Sequence, residues 1–206
     1  MAGGIDFSEW RRQARLLARH ARHGSASFGS GPSAARAQAL GRLFRLANAH
    51  LRSTGAEYAL AYGTLLGWHR GAGIIAHDRD VDFAAPLSAY PAIWESRRLL
   101  PAGMRMFDTS RRHHGPKVYL TLGGWEADVY FLAEEGGLLR STERSRNPGD
   151  MKPFPRDYFF PLARATFLGE ETFVPARPGE LLLHIYGYIG ADAVRDPVSR
   201  YFRPRS

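Results

Sequence analysis

Residues 74–86 read "IIAHDRDVDFAAP", with Asp78, Asp80 and Asp82 at every second position of a run otherwise suited to a buried strand. Side chains two apart along a strand point to the same face. The spacing therefore predicts a strand pair or bent strand over 74–84 that carries three carboxylates side by side. Two carboxylates about 5 Å apart repel by about 3 kcal/mol at an effective dielectric near 20, or about two pKa units on one of them. Such a stretch needs an offset. It is either a bound cation, or arginines pairing with the solvated face of an edge strand. Arg79 cannot serve its neighbours, because its side chain points to the opposite face.

Working outward, "WEADVYFLA" (125–133) sets Asp128 in the middle of another strand-like run. If the two strands are neighbours, Asp80, Asp82 and Asp128 form a three-carboxylate cup. Hard oxygen ligands of this kind suit Mg2+ or Mn2+, which leave positions open for substrate phosphates. Upstream, "EYALAY" (57–62) reads as a strand ending at Gly63, and "TLLGWHR" (64–70) as a short helix. Gly63 and Thr64 then stand at a helix start, where backbone amides suit a phosphate and glycine permits close approach. Arg70, beyond that helix, has the forked guanidinium that pairs with phosphate. Lys117 in "GPKVYL" either reaches the phosphates from a neighbouring strand or is a surface charge. His113 and His114 read as solvated loop residues, and His69 and Trp68 as packing for the short helix. His77 falls on the face opposite Asp78.

The other elements follow from periodicity and turn residues. A helix is expected from Ser33 to about Thr54, with Leu40, Leu43, Phe44, Ala47 and Leu51 as its apolar stripe and Gly55 as its stop. "YPAIWESRRLL" reads as a helix halted by Pro101. "MRMFDTS", "KVYLTL" and "WEADVYFLA" read as short strands. Residues 134–156, rich in glycine, proline and charge, are expected to form a long loop, with Arg140, Arg144 and Arg146 as candidates for recognising a substrate. "ATFLGEETFVPA" looks like a hairpin, and "PGELLLHIYG" like a helix with Pro178 at its start and Gly187 at its end. Tyr158, Phe159 and Phe160 are expected as core and loop anchors. Helices first, then a small mixed sheet with interleaved helices, imply an α+β fold: a mixed β-sheet flanked by helices, with further helices at the N-terminus.

At 206 residues the chain has room for one domain and a small appendage. Residues 1–32 read as a basic helix and a Gly/Ser linker, and 33–206 as the domain that carries the acids. In the helix, Ser8 is the N-cap and Trp10, Ala14, Leu17 and Ala21 recur at helical spacing among arginines. It is either packed on the domain or in peripheral contact with a membrane surface. The absence of cysteine excludes disulfides, thiolate catalysis and cysteine-bound zinc. No apolar run approaches the roughly 20 residues that span a bilayer, and the N-terminus lacks the apolar core of a secretory signal, so a cytoplasmic protein is expected. Lys117 and Lys152 are the only lysines; the other 26 of the 28 basic residues are arginine. Beside abundant alanine and glycine, that bias reflects GC-rich codons as readily as phosphate binding. No nucleic-acid partner is expected, and the net charge of +8 fits a protein that handles a nucleotide or an anionic glycan.

The stretch "GTLLGWHRGAGIIAHDRDVD" (63–82) resembles the motif of the LicD/fukutin family, within the nucleotidyltransferase-fold superfamily. "ADVYFL" (127–132) resembles the family's later strand with its third metal carboxylate. "YFFPLARATFLGEETFVPARPGELLLHIYG" (158–187) resembles its C-terminal run of F-P-L, F-x-G, V-P and a helix ending in Y-G. The likeness covers about residues 56–188. It implies a metal-dependent transferase that moves a phospho-alcohol, phosphocholine-like or a polyol phosphate, from a CDP-linked donor to a hydroxyl of a glycan or small-molecule acceptor, releasing CMP. By position it implies Asp80, Asp82 and Asp128 as metal ligands and catalytic residues, and Asp78 as an outer ligand or supporting acid. It also implies that Gly63, Thr64 and Arg70 contact donor phosphates, and that Asp128 or Asp82 accepts the acceptor's proton. His77 and Arg79 stand where many members have tryptophan and a further acid, which leaves the substrate's identity open. The alternative on the same fold is transfer of a nucleoside monophosphate from an NTP to a small molecule or protein.

Overall fold

The computed structural model describes residues 34–71, 73–76, 78–145 and 147–205. The basic N-terminal helix expected around Ser8–Ala21, its linker, His77 and Arg146 lie outside the described residues.

Helix α1 (Ala34–Ser53) buries its expected stripe: Leu40, Leu43, Phe44, Ala47 and Leu51 are fully inaccessible. Phe44 stacks on Phe83 at 6.0 Å between ring centroids and meets Phe167 edge-on at 5.0 Å. The helix ends where Gly55 turns to positive φ (+69°). Strand β1 is only Ala59–Leu60, antiparallel to β2 (Asp80–Pro86). The expected strand over 57–62 is shortened because Tyr62, at φ +42°, turns the chain directly into α2 (Tyr62–His69). Tyr62 and Gly63 are thus part of the helix rather than the end of a strand.

After β2 come α3 (Tyr90–Glu95), extended by a 3-10 turn (Ser96–Leu99), then β3 (Met104–Asp108), β4 (Lys117–Leu122) and β5 (Trp125–Glu135). The sheet order is β1-β2-β5-β4-β3, with β2 and β5 parallel and the other neighbours antiparallel. On the face of its central strands that meets α1, Val81, Phe83, Ala85, Val118, Leu120, Val129 and Phe131 are all fully inaccessible, while the opposite face carries Asp80, Asp82, Asp128 and Lys117.

Two expectations need correction. Residues 74–76, 78 and 79 are not strand, so Asp78 lies in the loop before β2 and does not share its pleat with Asp80 and Asp82. The partner strand explains this: Glu126 of β5 faces Asp80, and Gly123 and Gly124 turn the chain just before Trp125, so the ladder between β2 and β5 begins at Asp80. Residues 134–156 are not one long loop either. They contain the end of β5, β6 (Leu138–Ser141), a helical turn α4 (Pro148–Met151) and β7 (Phe154–Pro155). Gly136 and Gly137 both take positive φ, as a two-residue hairpin turn between β5 and β6 requires.

A further turn α5 (Arg156–Phe159) leads to the expected hairpin, β8 (Ala163–Phe167) and β9 (Glu170–Val174). This hairpin packs beneath α1, where Asn48 donates to the Glu171 carbonyl at 2.8 Å. Helix α6 (Pro178–Tyr186) starts on Pro178 and stops at Gly187, φ +82°. A short hairpin of β10 (Ala193–Arg195) and β11 (Phe202–Pro204) follows. No helix among the described residues is long and apolar enough to cross a membrane.

Candidate active site

The parallel pairing of β2 with β5 brings the acids together. Asp82 lies beside Asp128 in register, and Asp80, two residues before Asp82, shares their face. Carboxylate oxygens of Asp80, Asp82 and Asp128 all come within 4.8 Å of one another. At that separation each pair of like charges costs about 3 kcal/mol at an effective dielectric near 20. Asp82 and Asp128 are each only 7% exposed, so water relieves little of this. Burial pushes the Asp82 carboxyl well above its ordinary range, and Asp80, Asp128 and Asp78 push it further, against the attraction of Lys117. Asp128 Oδ1 is buried with no hydrogen-bond partner; the Lys117 ammonium stands 3.7 Å away. Hard carboxylate oxygens on a common face, one of them lacking a donor, fit a divalent cation such as Mg2+ or Mn2+.

Lys117 is not a surface charge. It is 8% exposed, its Nζ donates to Glu143 at 2.5 Å, and it sits 4.1 Å over the ring of Tyr130. The Tyr130 hydroxyl stands 3.4 Å from Asp82 Oδ1 and 3.5 Å from Asp128 Oδ2, at the far limit of hydrogen bonding. The Tyr62 ring meets that of Tyr130 edge-on at 4.6 Å, which is what the left-handed backbone at Tyr62 achieves.

Thr64 fixes the backbone of the acid strand. Its Oγ1 accepts the Asp82 N–H at 2.9 Å, while the Ala61 N–H donates to the Asp82 carbonyl at 3.0 Å. Gly63 makes room: a Cβ there would stand 3.1 Å from Asp78 Oδ2. Asp78 lies outside the group of three but close by. Burial and then Asp80 raise its pKa to about 7, opposed by a backbone hydrogen bond at Ile75 and by Arg70. The Arg70 guanidinium itself binds backbone carbonyls, Nε and Nη2 to Ile189 at 3.1 and 2.9 Å and Nη2 to Gly190 at 2.7 Å. Arg70, Gly63 and Asp78 line a cavity of about 180 Å3 whose other wall is Tyr186, Tyr188 and Phe202.

The structure thus groups Asp80, Asp82, Asp128 and Lys117 tightly, sets Asp78 and Gly63 beside them, and ties Thr64 to Asp82. Arg70 lies at the cavity wall, bonded to the segment after α6. Arg140 and Arg144 are exposed, and His113 accepts the Arg144 N–H through Nδ1 at 3.0 Å. The sequence reading missed Tyr62, Tyr130 and Glu143. Tyr130 was accessible to it, since it lies two residues beyond Asp128 on the same strand face. Glu143 follows the unforeseen β6 and carries no local signal.

A sequence model of the family described as LicD/FKTN/FKRP, nucleotidyltransferase domain, matches residues 55–177, more than half of the chain. No curated protein matches the chain. Among solved structures, the crystal structure of ANT(2")-Ia in complex with adenylyl-2"-tobramycin is similar at a TM-score of 0.45 and 12% identity, over 66% of this chain and 68% of that one. Terminal uridylyl transferase 4 from Trypanosoma brucei with bound GTP is similar at a TM-score of 0.34 and 13% identity, over 59% of this chain and 36% of that one.

Proposed function

The chain belongs to the LicD/FKTN/FKRP nucleotidyltransferase-domain family, and from that membership we propose a metal-dependent transferase that moves a phospho-alcohol from a CDP-linked donor to a hydroxyl of a glycan or small-molecule acceptor, releasing CMP. The observation that supports this reading most directly is the convergence of Asp80, Asp82 and Asp128, with Asp128 Oδ1 left without a hydrogen-bond donor. Mg2+ or Mn2+ held by these three supplies charge neutralisation at the donor's pyrophosphate and at the leaving CMP.

The chain's own residues bind, orient and move the proton. Gly63 and Thr64 offer first-turn amides of α2 to the donor phosphates, and Thr64 keeps Asp82 in register with Asp128. Lys117 adds a buried positive charge at the phosphate end of the site. Arg70 acts on the donor through the cavity wall it fastens. Asp128 or Asp82 takes the proton of the acceptor hydroxyl as its oxygen bonds to phosphorus, and CMP departs in line on the opposite side. Asp78 stands behind Asp80 as a supporting acid.

Thermal shifts with CDP-choline, CDP-glycerol, CDP-ribitol, CTP and ATP, each with and without Mg2+, test the reading. Stabilisation by a CDP-alcohol that requires the metal supports it. Stronger stabilisation by CTP or ATP than by every CDP-alcohol moves the assignment to nucleoside monophosphate transfer. Asp80→Asn and Asp82→Asn are expected to lose turnover while remaining folded; full activity in either purified variant removes the metal site from the mechanism.

A further inference from the structure

The pairing of Lys117 with Glu143 goes beyond a counter-charge. Both are held by the backbone around them. The Lys117 N–H donates to Ser110 Oγ at 3.1 Å, and its carbonyl accepts the Thr109 N–H at 2.9 Å. Next to Glu143, Thr142 Oγ1 donates to the carbonyl of Pro116 at 2.6 Å, and the Thr142 N–H donates to the Phe131 carbonyl at 2.9 Å. The chain before Lys117 is therefore fastened to the chain before Glu143, and only the two side chains are left to adjust.

An ammonium has three N–H donors and no acceptor. Glu143 takes one at 2.5 Å, the Tyr130 ring lies 4.1 Å below the charge, and Asp128 Oδ1 waits at 3.7 Å, beyond hydrogen-bond range. Without Glu143 the nearest strong acceptor is that Asp128 oxygen, and the long lysine side chain readily covers the gap of less than one bond length. A lysine seated on Asp128 would occupy an oxygen that a divalent cation needs, and would place like charge against the ion. We propose that Glu143 is a positioning residue that keeps the carboxylate cup open to metal by drawing the Lys117 ammonium away from Asp128. This rests on the metal-dependent reading of the site.

Titration of Mn2+ followed by electron paramagnetic resonance on four proteins tests it without any turnover: wild type, Glu143→Gln, Lys117→Met and the double variant. Glu143→Gln is expected to bind Mn2+ about tenfold more weakly, within the range seen when a partner of a metal ligand is removed. Lys117→Met is expected to bind at least as tightly as wild type. In the Lys117→Met background the further Glu143→Gln change is expected to alter affinity less than about threefold, because the residue acts through the lysine. Equal weakening in both backgrounds overturns the proposal and makes Glu143 a direct electrostatic or ligating partner of the ion. Unchanged affinity in Glu143→Gln overturns it as well. If Glu143→Gln does not fold, Glu143→Asp retains the charge but retracts it by about 1.5 Å, and a several-fold weaker affinity is then expected, no change overturning the role. Failure of wild type itself to take up Mn2+ overturns both this inference and the reading beneath it, which separates the two failures.

Discussion

Asp78 owes its raised pKa, about 7, first to burial and then to the charge of Asp80. An unfolded aspartate titrates near 3.9. Between those values the folded chain binds more protons than the unfolded one, so folding stability is greatest below the unfolded pKa. It declines as pH rises from about 4 to about 7 and levels off above. Asp82, raised by burial and by Asp80, Asp128 and Asp78, contributes in the same direction. The melting temperature of metal-free protein is therefore expected to fall across this window. Asp78→Asn, which cannot ionise, is expected to flatten part of the decline; an unaltered pH profile in the variant would show that Asp78 is solvated and titrates normally. On the proposed reading, added Mg2+ is expected to oppose the same trend, because deprotonated carboxylates are what would bind it.

Among the described helices, α1 buries the most apolar side chains. Phe44 is fully buried between Phe83 of β2 and Phe167 of β8. Phe44→Ala is expected to cost about 3–5 kcal/mol in urea denaturation, with the slope of the transition unchanged; a loss under 1 kcal/mol would mean that α1 is not seated on the sheet as described. Helices α1 and α6, strands β3, β4 and β5 and the β8–β9 hairpin were legible because each repeats its apolar residues at one period and is bounded by glycine or proline. That β2 and β5 are neighbours was only a condition for grouping the acids, and their parallel pairing was not foreseen, since register is a tertiary property. What escaped was decided by neighbours. The sequence of residues 74–79 alternates like a strand, but the ladder with β5 begins only at Asp80. Leu138–Ser141 is short and set among glycines and charges that read as loop, yet it pairs with the overlong end of β5. Asp80 and Asp82 were singled out by their spacing and Asp128 by its place within a strand, whereas Glu143 follows the unforeseen β6 and Tyr62 the early start of α2.

At the scale of the whole molecule, the region matched by the family ends at residue 177, while the cavity beside the acids is closed by residues beyond it, Tyr186, Tyr188 and Phe202. Arg70 joins the two parts through the carbonyls of Ile189 and Gly190. Lysine cannot make the same forked contact. Arg70→Lys is expected to leave the sheet's amide exchange unchanged and to raise exchange over residues 189–205 several-fold, measured by hydrogen–deuterium exchange; equal protection in both proteins would show that the segment is held by its own hairpin instead.

The adjacency of β2 and β5 also fixes when the site comes into being. Asp82 and Asp128 meet only across a parallel pair, and the intervening chain must first lay down α3, β3 and β4. On a ribosome, a growing polypeptide that has released β2 alone offers two aspartates and no cup. On the proposed metal-dependent reading, an ion is captured only after β5 has cleared the exit tunnel and slotted beside β2, so loading with metal would report completion of the sheet rather than its beginning.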